Sequence, residues 1–286
     1  MELEEVLETA RFAPCGASQE KSVGWIEPRG QAHGALVEVI DGQWMLRQMV
    51  ETKAVPGSVV KRKVEERAQQ IEASTGRKPG KKEKRELAED ARQSLLPMAF
   101  TKQSNVLVWI DPANARLTLD AGSQTKADET MTALVSAIDG LAVQLIDTQT
   151  SPAVAMAEWL STHEAPAGFS VDRECELKAP DESRAVVRYT RHALDTDEVS
   201  QHIAMGKVPT RLALTWNNRV SFVLTEAMQL KKVALLDVVL EDKPAAAGDG
   251  KDDGFDTDVA LITGELRQLL PALMEALGGE TVIAPA

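Results

Sequence analysis

The sequence predicts an α+β fold, with mixed hairpin sheets, packed helices and a projecting two-helix hairpin. Three observations carry that expectation. Alternating apolar runs flank two tight-turn dipeptides, Asp41-Gly42 and Asn217-Asn218. Helix-period segments open on proline or a capping hydroxyl and stop at glycine. The two kinds of segment interleave without the strict βαβ rhythm of a parallel sheet.

Residues 2–10 read as a short helix with Leu3, Val6, Leu7 and Ala10 on one face. Residues 11–34 are rich in Gly, Pro, Ser and Gln and read as turns around a short strand at 23–26. Leu36–Ile40 and Trp44–Val50 make the first hairpin, because Asp-Gly supplies the positive φ angles of a type I′ turn. Pro56 then opens a helix to about Ser74, stopped by Gly76. A second helix runs from about Lys81 to Leu96, before Pro97. Val60, Val64, Ala68 and Ile71 supply only a thin apolar stripe, so this pair has little core of its own and projects or meets a partner.

Val106, Val108 and Ile110 alternate as a strand, followed by a turn at 111–114 and a strand at 116–120. Ser123 caps a helix to about Ile138. A strand at 141–146, a helix at 152–160 and strands at 169–177 and 185–194 come next, then a helix from Asp195 to Met205. Residues 211–216 and 219–225 form the second hairpin, 230–240 another strand, 241–254 a linker, and 257–277 a closing amphipathic helix. The expected organisation is a body from 1–55 and 103–180, the helical hairpin at 56–102, and a second sheet region with the C-terminal helix at 181–286.

Composition narrows the function classes. The chain has 286 residues, 43% hydrophobic and 27% charged, which excludes collagen-like, wholly disordered and disulfide-scaffold proteins. No apolar run nears the ~20 residues of a transmembrane helix. The acidic start MELEEVLETARF lacks a signal-peptide profile, and the unpatterned Cys15 and Cys175 suit a reducing cytoplasm. With aromatics at 4%, a base-stacking surface for single strands is not expected.

Net charge is −12, which taken as an average argues against nucleic acid. The average hides a pattern. Residues 51–102 carry 13 basic and 8 acidic side chains, and residues 181–236 carry 8 and 6, while every other stretch is net negative. Lys61-Arg62-Lys63, Arg67, Arg77-Lys78 and Lys81-Lys82-Glu83-Lys84-Arg85 make the first island. Arg184, Arg188, Arg191, Lys207, Arg211, Arg219, Lys231 and Lys232 make the second. On a strand Arg184 and Arg188 would share one face, and Tyr189 and Arg191 the other. Two readings stand: solvated surfaces laced by i,i+4 pairs with Glu65, Glu66 and Glu89, or a phosphate-backbone surface.

No catalytic constellation stands out. His33, His163, His192 and His202 are scattered, and no C-x-x-C occurs, so neither metal nor cofactor is expected. Cys15 reads as a small buried side chain rather than a nucleophile. Gly76–Lys82 lacks the spacing, the preceding strand and the Ser/Thr of a phosphate loop. Asp249, Asp252, Asp253, Asp256 and Asp258 could suggest metal-dependent phosphodiester cleavage, but read better as a solvated linker.

Several colinear blocks resemble the recombination-associated protein RdgC family of bacteria. They include Phe12-Ala13-Pro14-Cys15-Gly16, Gly24-Trp25-Ile26-Glu27-Pro28, Gly76-Arg77-Lys78 with Lys81-Lys82-Glu83-Lys84, and Leu95-Leu96-Pro97-Met98-Ala99-Phe100. Trp109-Ile110-Asp111, Lys126-Ala127-Asp128-Glu129, Glu158-Trp159-Leu160, Gly168-Phe169, and His202-Ile203 with Gly206-Lys207 follow in order. Leu212-Ala213-Leu214-Thr215-Trp216, Phe255-Asp256-Thr257-Asp258 and Leu277-Gly278-Gly279-Glu280 complete the set.

The resemblance implies a cytoplasmic, nucleoid-associated, non-enzymatic protein that binds double-stranded DNA without sequence preference. It implies a ring-shaped homodimer that encircles the duplex and restrains RecA recombinase by competing for DNA. One closure of the ring would use the helical hairpin and the residues just after it, the other sheet elements. The implied backbone contacts are Lys61, Lys81, Lys82, Arg191, His192, Lys207 and Arg211. Phe100 would be an apolar latch at the gate, or else simple core packing. Many family members have Lys or Gln where this chain has Arg191-His192, which keeps the charge at the first position and a hydrogen-bond donor at the second. Members usually begin with a Phe-Lys-Asn-Leu type strand, and this chain starts after it, so either the start is misassigned or truncated, or the body sheet lacks a strand and exposes an edge. A metal-dependent nuclease and a protein-interaction scaffold are the rival classes.

Overall fold

The computed structural model describes residues 3–241 and 254–281. It is mixed α+β, with two antiparallel five-stranded sheets and eight α-helices among the described residues. The chain divides into two compact units, Met1–Val143 and Gln144–Ala286.

The first unit begins with α1 (Leu3–Glu8), β1 (Lys21–Ile26), β2 (Glu38–Ile40) and β3 (Gln43–Ala54). The helical hairpin α2 (Gly57–Thr75) and α3 (Lys81–Leu95) comes next, then β4 (Phe100–Asp111), β5 (Arg116–Asp120) and α4 (Gln124–Ala137). The sheet order is β1-β3-β4-β5, with β2 also on β3. Alternation puts Leu46 and Val108 on one face, where Trp25, Leu7, Leu36 and Leu134 close the core. The Glu4 carboxylate accepts hydrogen bonds from the Leu36 and Val37 amides at 2.7 and 2.8 Å, which pins α1 to the loop before β2.

β1 leaves no room for a side chain at Gly24. A Cβ there would lie 2.4 Å from Phe12 Cα and 2.6 Å from Phe12 N. The 10–12 segment hydrogen-bonds Trp25 through Ala10 O and Phe12 N, so it cannot retreat without losing both bonds. Gly24→Ala is expected to destabilise the unit by about 1–3 kcal/mol, read as a lower thermal midpoint. An unchanged midpoint would mean that the segment is not held there.

β3 and β4 pair over the whole range from Trp44↔Ile110 to Ala54↔Phe100. β1 stops at Thr52, and β5 pairs only from Leu107 onward. The ribbon that carries the helical hairpin is therefore two strands wide at its end. β4 starts six residues before the alternating Val106, because ladder bonds to β3 hold the polar Thr101–Asn105 stretch that has no hydrophobic pattern to announce it.

The second unit contains α5 (Pro152–Thr162), β6 (Phe169–Lys178), β7 (Val186–Thr190), α6 (Asp197–Ala204), β8 (Val208–Trp216) and β9 (Val220–Thr225). It continues with β10 (Leu230–Leu235), α7 (Asp237–Glu241) and α8 (Phe255–Ala276). The sheet order is β10-β9-β8-β6-β7. Leu212, Leu214, Trp216, Val220, Phe222 and Leu224 face α5 and α8, where Met156, Leu160, Leu269 and Leu273 complete the core. Asn217 and Asn218 adopt φ of 47° and 54°, the left-handed pair that the β8–β9 turn requires.

Three expected elements differ. Residues 141–147 form no strand: Leu145 is 86% exposed and no neighbouring strand pairs with the run. The strand expected to Leu240 ends at Leu235, where the Leu236 amide bonds Arg219 O and Asp237 starts α7 with an acid at its positive end. The strand expected over 185–194 is only Val186–Thr190, with Arg184 and Arg191 outside it at φ of 46° and 56°. Residues 242–253 of the expected linker, with Asp249, Asp252 and Asp253, lie outside the described residues.

Candidate nucleic-acid interface

The helical hairpin holds the first basic island. α2 and α3 bury only Val60 and Ala91, with Leu96 just beyond. Everything else on them is half-buried or in water, where a cation stays solvated at little cost. Some of these cations are neutralised. Arg77 pairs with Glu83 at 2.8 Å, Lys78 with Glu72 at 3.7 Å, and Arg62 with Glu66 at 3.9 Å. The hydrogen bond from Arg77 holds the Glu83 carboxyl below its usual range. Among the described residues, Lys61, Arg67, Lys81, Lys82, Lys84 and Arg85 enter no ion pair.

Lys81 and Lys82 occupy the first turn of α3, with Lys84 and Arg85 next. Cations there oppose the helix dipole, and the N-cap, Gly80, has no side chain to accept a backbone hydrogen bond. The arrangement costs helix stability and favours an anion at that end. Lys61 lies near the other end of the hairpin, about 14 residues from the tip along α2, or roughly 20 Å. Phe100 opens β4 beside Ala54 and is 90% exposed, and Met98 is 72% exposed. That exposure excludes the core-packing alternative for Phe100.

In the second unit the sheet sorts its cations. Arg211 on β8 stands opposite Glu176 on β6, which in turn faces Arg188 on β7. Burial works against the Glu176 charge, but hydrogen bonds from Thr210 and Arg188 and the nearby Arg211 hold its carboxyl below the usual range. Arg188 is thus spent on Glu176, and Lys232 on Glu174 at 2.7 Å. Arg219 is bound bidentately by Glu265. Arg211 stays exposed, across the ladder from Glu176.

The end of β7 and the end of α6 meet at Tyr189. Its ring lies 5.4 Å from His192 and 6.4 Å from His202, and its hydroxyl donates to Glu198 at 3.0 Å. Burial first, and then the Glu198 carboxylate, push the tyrosine up to about 12. Arg191 is exposed and left-handed, a conformation that costs a non-glycine residue roughly 1–2 kcal/mol. Lys207 lies one residue past Gly206, with its ammonium 3.1 Å from His202 Nδ1. His192, with Arg191 before it, and Lys207 are thereby linked through Tyr189 and His202, which 14 residues of intervening sequence do not suggest. Tyr189 and His202, which join them, were not among the expected site residues; a glycine-stopped helix with His four residues before the Gly and Lys just after it is the pattern that could have shown the second.

The surroundings of Cys15 disfavour its thiolate. Its thiol is pushed up by burial and by Glu51, and its amide donates to Glu51 Oε1 at 2.7 Å. Among the described residues no three His, Cys, Asp or Glu side chains cluster as a metal site. Asp256 and Asp258 sit in the first turn of α8, where carboxylates favour the helix dipole.

The family model described as "Putative exonuclease, RdgC" matches residues 1–280. The chain belongs to the RdgC family. Relatives named "Recombination-associated protein RdgC" include that of Dechloromonas aromatica, 46% identical over 284 residues, which cover 98% of this chain and 92% of the relative. That of Bordetella pertussis is 46% identical over 281 residues and that of Herminiimonas arsenicoxydans 44% over 279, each with the same coverage. This RdgC family member is therefore a recombination-associated protein by kinship, and no helix among its described residues is long and apolar enough to cross a membrane.

Proposed function

We propose that this protein binds the phosphate backbone of double-stranded DNA without sequence preference, as a ring-shaped homodimer that encircles the duplex. The observation that carries the reading is the set of unpaired lysines and arginines kept in two patches of a chain with net charge −12. Lys81 and Lys82 stand against the helix dipole in the first turn of α3, which they share with Glu83. A polyanion at that end offsets the unfavourable placement, and binding gains affinity from counterion release. Lys61, Lys81, Lys82, Arg191, His192, Lys207 and Arg211 are the contacts. The electronegative remainder repels a second duplex and keeps the protein dispersed. Coating or encircling DNA then restrains RecA by occupying its substrate, in the cytoplasm at the nucleoid, with no catalytic step.

Phe100 supports the ring. Its side chain is 90% exposed and that of Met98, two residues earlier, 72%, so both are available for a partner to cover. Phe100→Ser is expected to leave the thermal midpoint within the equivalent of about 0.5 kcal/mol, while weakening the dimer in sedimentation and shortening retention on circular DNA. A variant dimer as tight as wild type would remove Phe100 from the gate.

The family description keeps a nuclease as the second reading. A gel shift titrated with salt, run beside plasmid incubation with Mg²⁺ or Mn²⁺, separates the two. The DNA-clamp reading expects retardation that fades steeply with salt and an intact plasmid. Nicking abolished by substitution at Asp256 and Asp258 would replace it with hydrolysis.

A further inference from the structure

α6 ends in a Schellman motif. Gly206 has φ of 88°, its amide bonds Ile203 O at 2.8 Å, and the Lys207 amide bonds His202 O at 3.1 Å. This motif brings together the side chains of the residue three before the cap and the second residue past it, most often as an apolar pair. Here they are His202 and Lys207, and the contact is polar, Nζ to Nδ1 at 3.1 Å. An ammonium has no lone pair, so it must donate, and Nδ1 must accept. The contact therefore requires a neutral imidazole with its proton on Nε2.

The other titratable groups near this pair each have a hydrogen bond of their own. Glu198, one turn earlier on α6, accepts from the Tyr189 hydroxyl. Asp181, which feels the Lys207 charge, is bound by the hydroxyl and amide of Ser183. His192 on the far side of the Tyr189 ring has its Nδ1 2.6 Å from Ala193 O. His202 Nδ1 is the atom that lies within hydrogen-bond distance of the lysine ammonium.

We propose that His202 is a positioning residue that fixes the Lys207 ammonium as a DNA-phosphate contact beside Arg191 and His192. The inference rests on the DNA-binding reading above. A free lysine would have to be ordered when DNA arrives, whereas one held in advance loses less on binding. Tyr189 carries the geometry from one side of the corner to the other, since both imidazoles lie against its ring.

The test is duplex binding by the full chain at pH 8 and low salt, for wild type, His202→Ala, Lys207→Gln, the double variant, and His202→Asn. Each single change is expected to weaken binding by roughly three- to tenfold, and the double variant to bind no worse than Lys207→Gln alone. His202→Asn is expected to recover most of the affinity, because its amide oxygen falls where Nδ1 was. Imidazole ¹⁵N spectra are expected to show His202 protonated at Nε2. Independent, additive losses, or a protonated Nδ1, would overturn the proposal while leaving DNA binding intact. A wild-type chain that ignores duplex at low salt would overturn the DNA-binding reading itself.

Discussion

Replacing Lys61, Lys81 and Lys82 together by glutamine is expected to lower duplex affinity on the order of 10²-fold at moderate salt. The same variant should flatten the dependence of log affinity on log salt by roughly 2 to 3, about 0.9 for each phosphate left without its lysine. These lysines are free of carboxylate partners, so removing them exposes no unpaired acid and disturbs no packing. The helix dipole predicts a side effect of opposite sign: with fewer cations in its first turn, α3 should be slightly more stable. Lys126→Gln on α4, outside both islands, serves as the control and should change little. Anisotropy titrations from about 50 to 200 mM salt on two unrelated duplexes read all of this. Equal losses on both duplexes are expected, because phosphate contacts carry no sequence. An unchanged slope would take the hairpin out of the interface.

Glu265→Ala is expected to destabilise the second unit strongly. Glu265 is 6% exposed on α8 and accepts two hydrogen bonds from Arg219, at 2.9 and 2.7 Å, just after the Asn217-Asn218 turn. Truncation removes the two buried acceptors from a guanidinium beside the core. Breaking a fully buried pair costs about 3–5 kcal/mol. Because 34% of the Arg219 side chain reaches water and the residue has other contacts, about 2–3 kcal/mol is expected here. That is a fall of roughly 5–10 °C in the thermal midpoint of this unit. Glu265→Gln, which keeps one acceptor, should fall between. A midpoint unmoved by either change would mean that apolar contacts alone seat α8.

Some of this was readable before folding was considered. The Asp41-Gly42 and Asn217-Asn218 hairpins, the Pro56 start and Gly76 stop of α2, and the Ser123 cap of α4 all sit where their local chemistry places them. Where local chemistry was thin, the reading failed. Residues 141–146 have strand composition but no strand beside them, and the apolar run at 230–240 leaves the sheet after Leu235 and turns into a helix at Asp237. Six residues of β4 were missed for the opposite reason, since a long partner strand overrides their polar, patternless sequence.

What the amino-acid order determined by itself is the set of elements and the crowding of positive charge into two stretches. Periodicity, turn residues and net charge act within a few residues, so they need no distant partner to be expressed. Tertiary structure decided which of those charges remain available. Lys232 meets Glu174 across 58 positions and Arg219 meets Glu265 across 46, while Lys81 and Lys82 meet no acid. It also left Phe100 in water and set His202 against Lys207. Coulomb and hydrogen-bond energies are decided within a few ångströms, and separations of that size between remote residues exist only after the chain has folded.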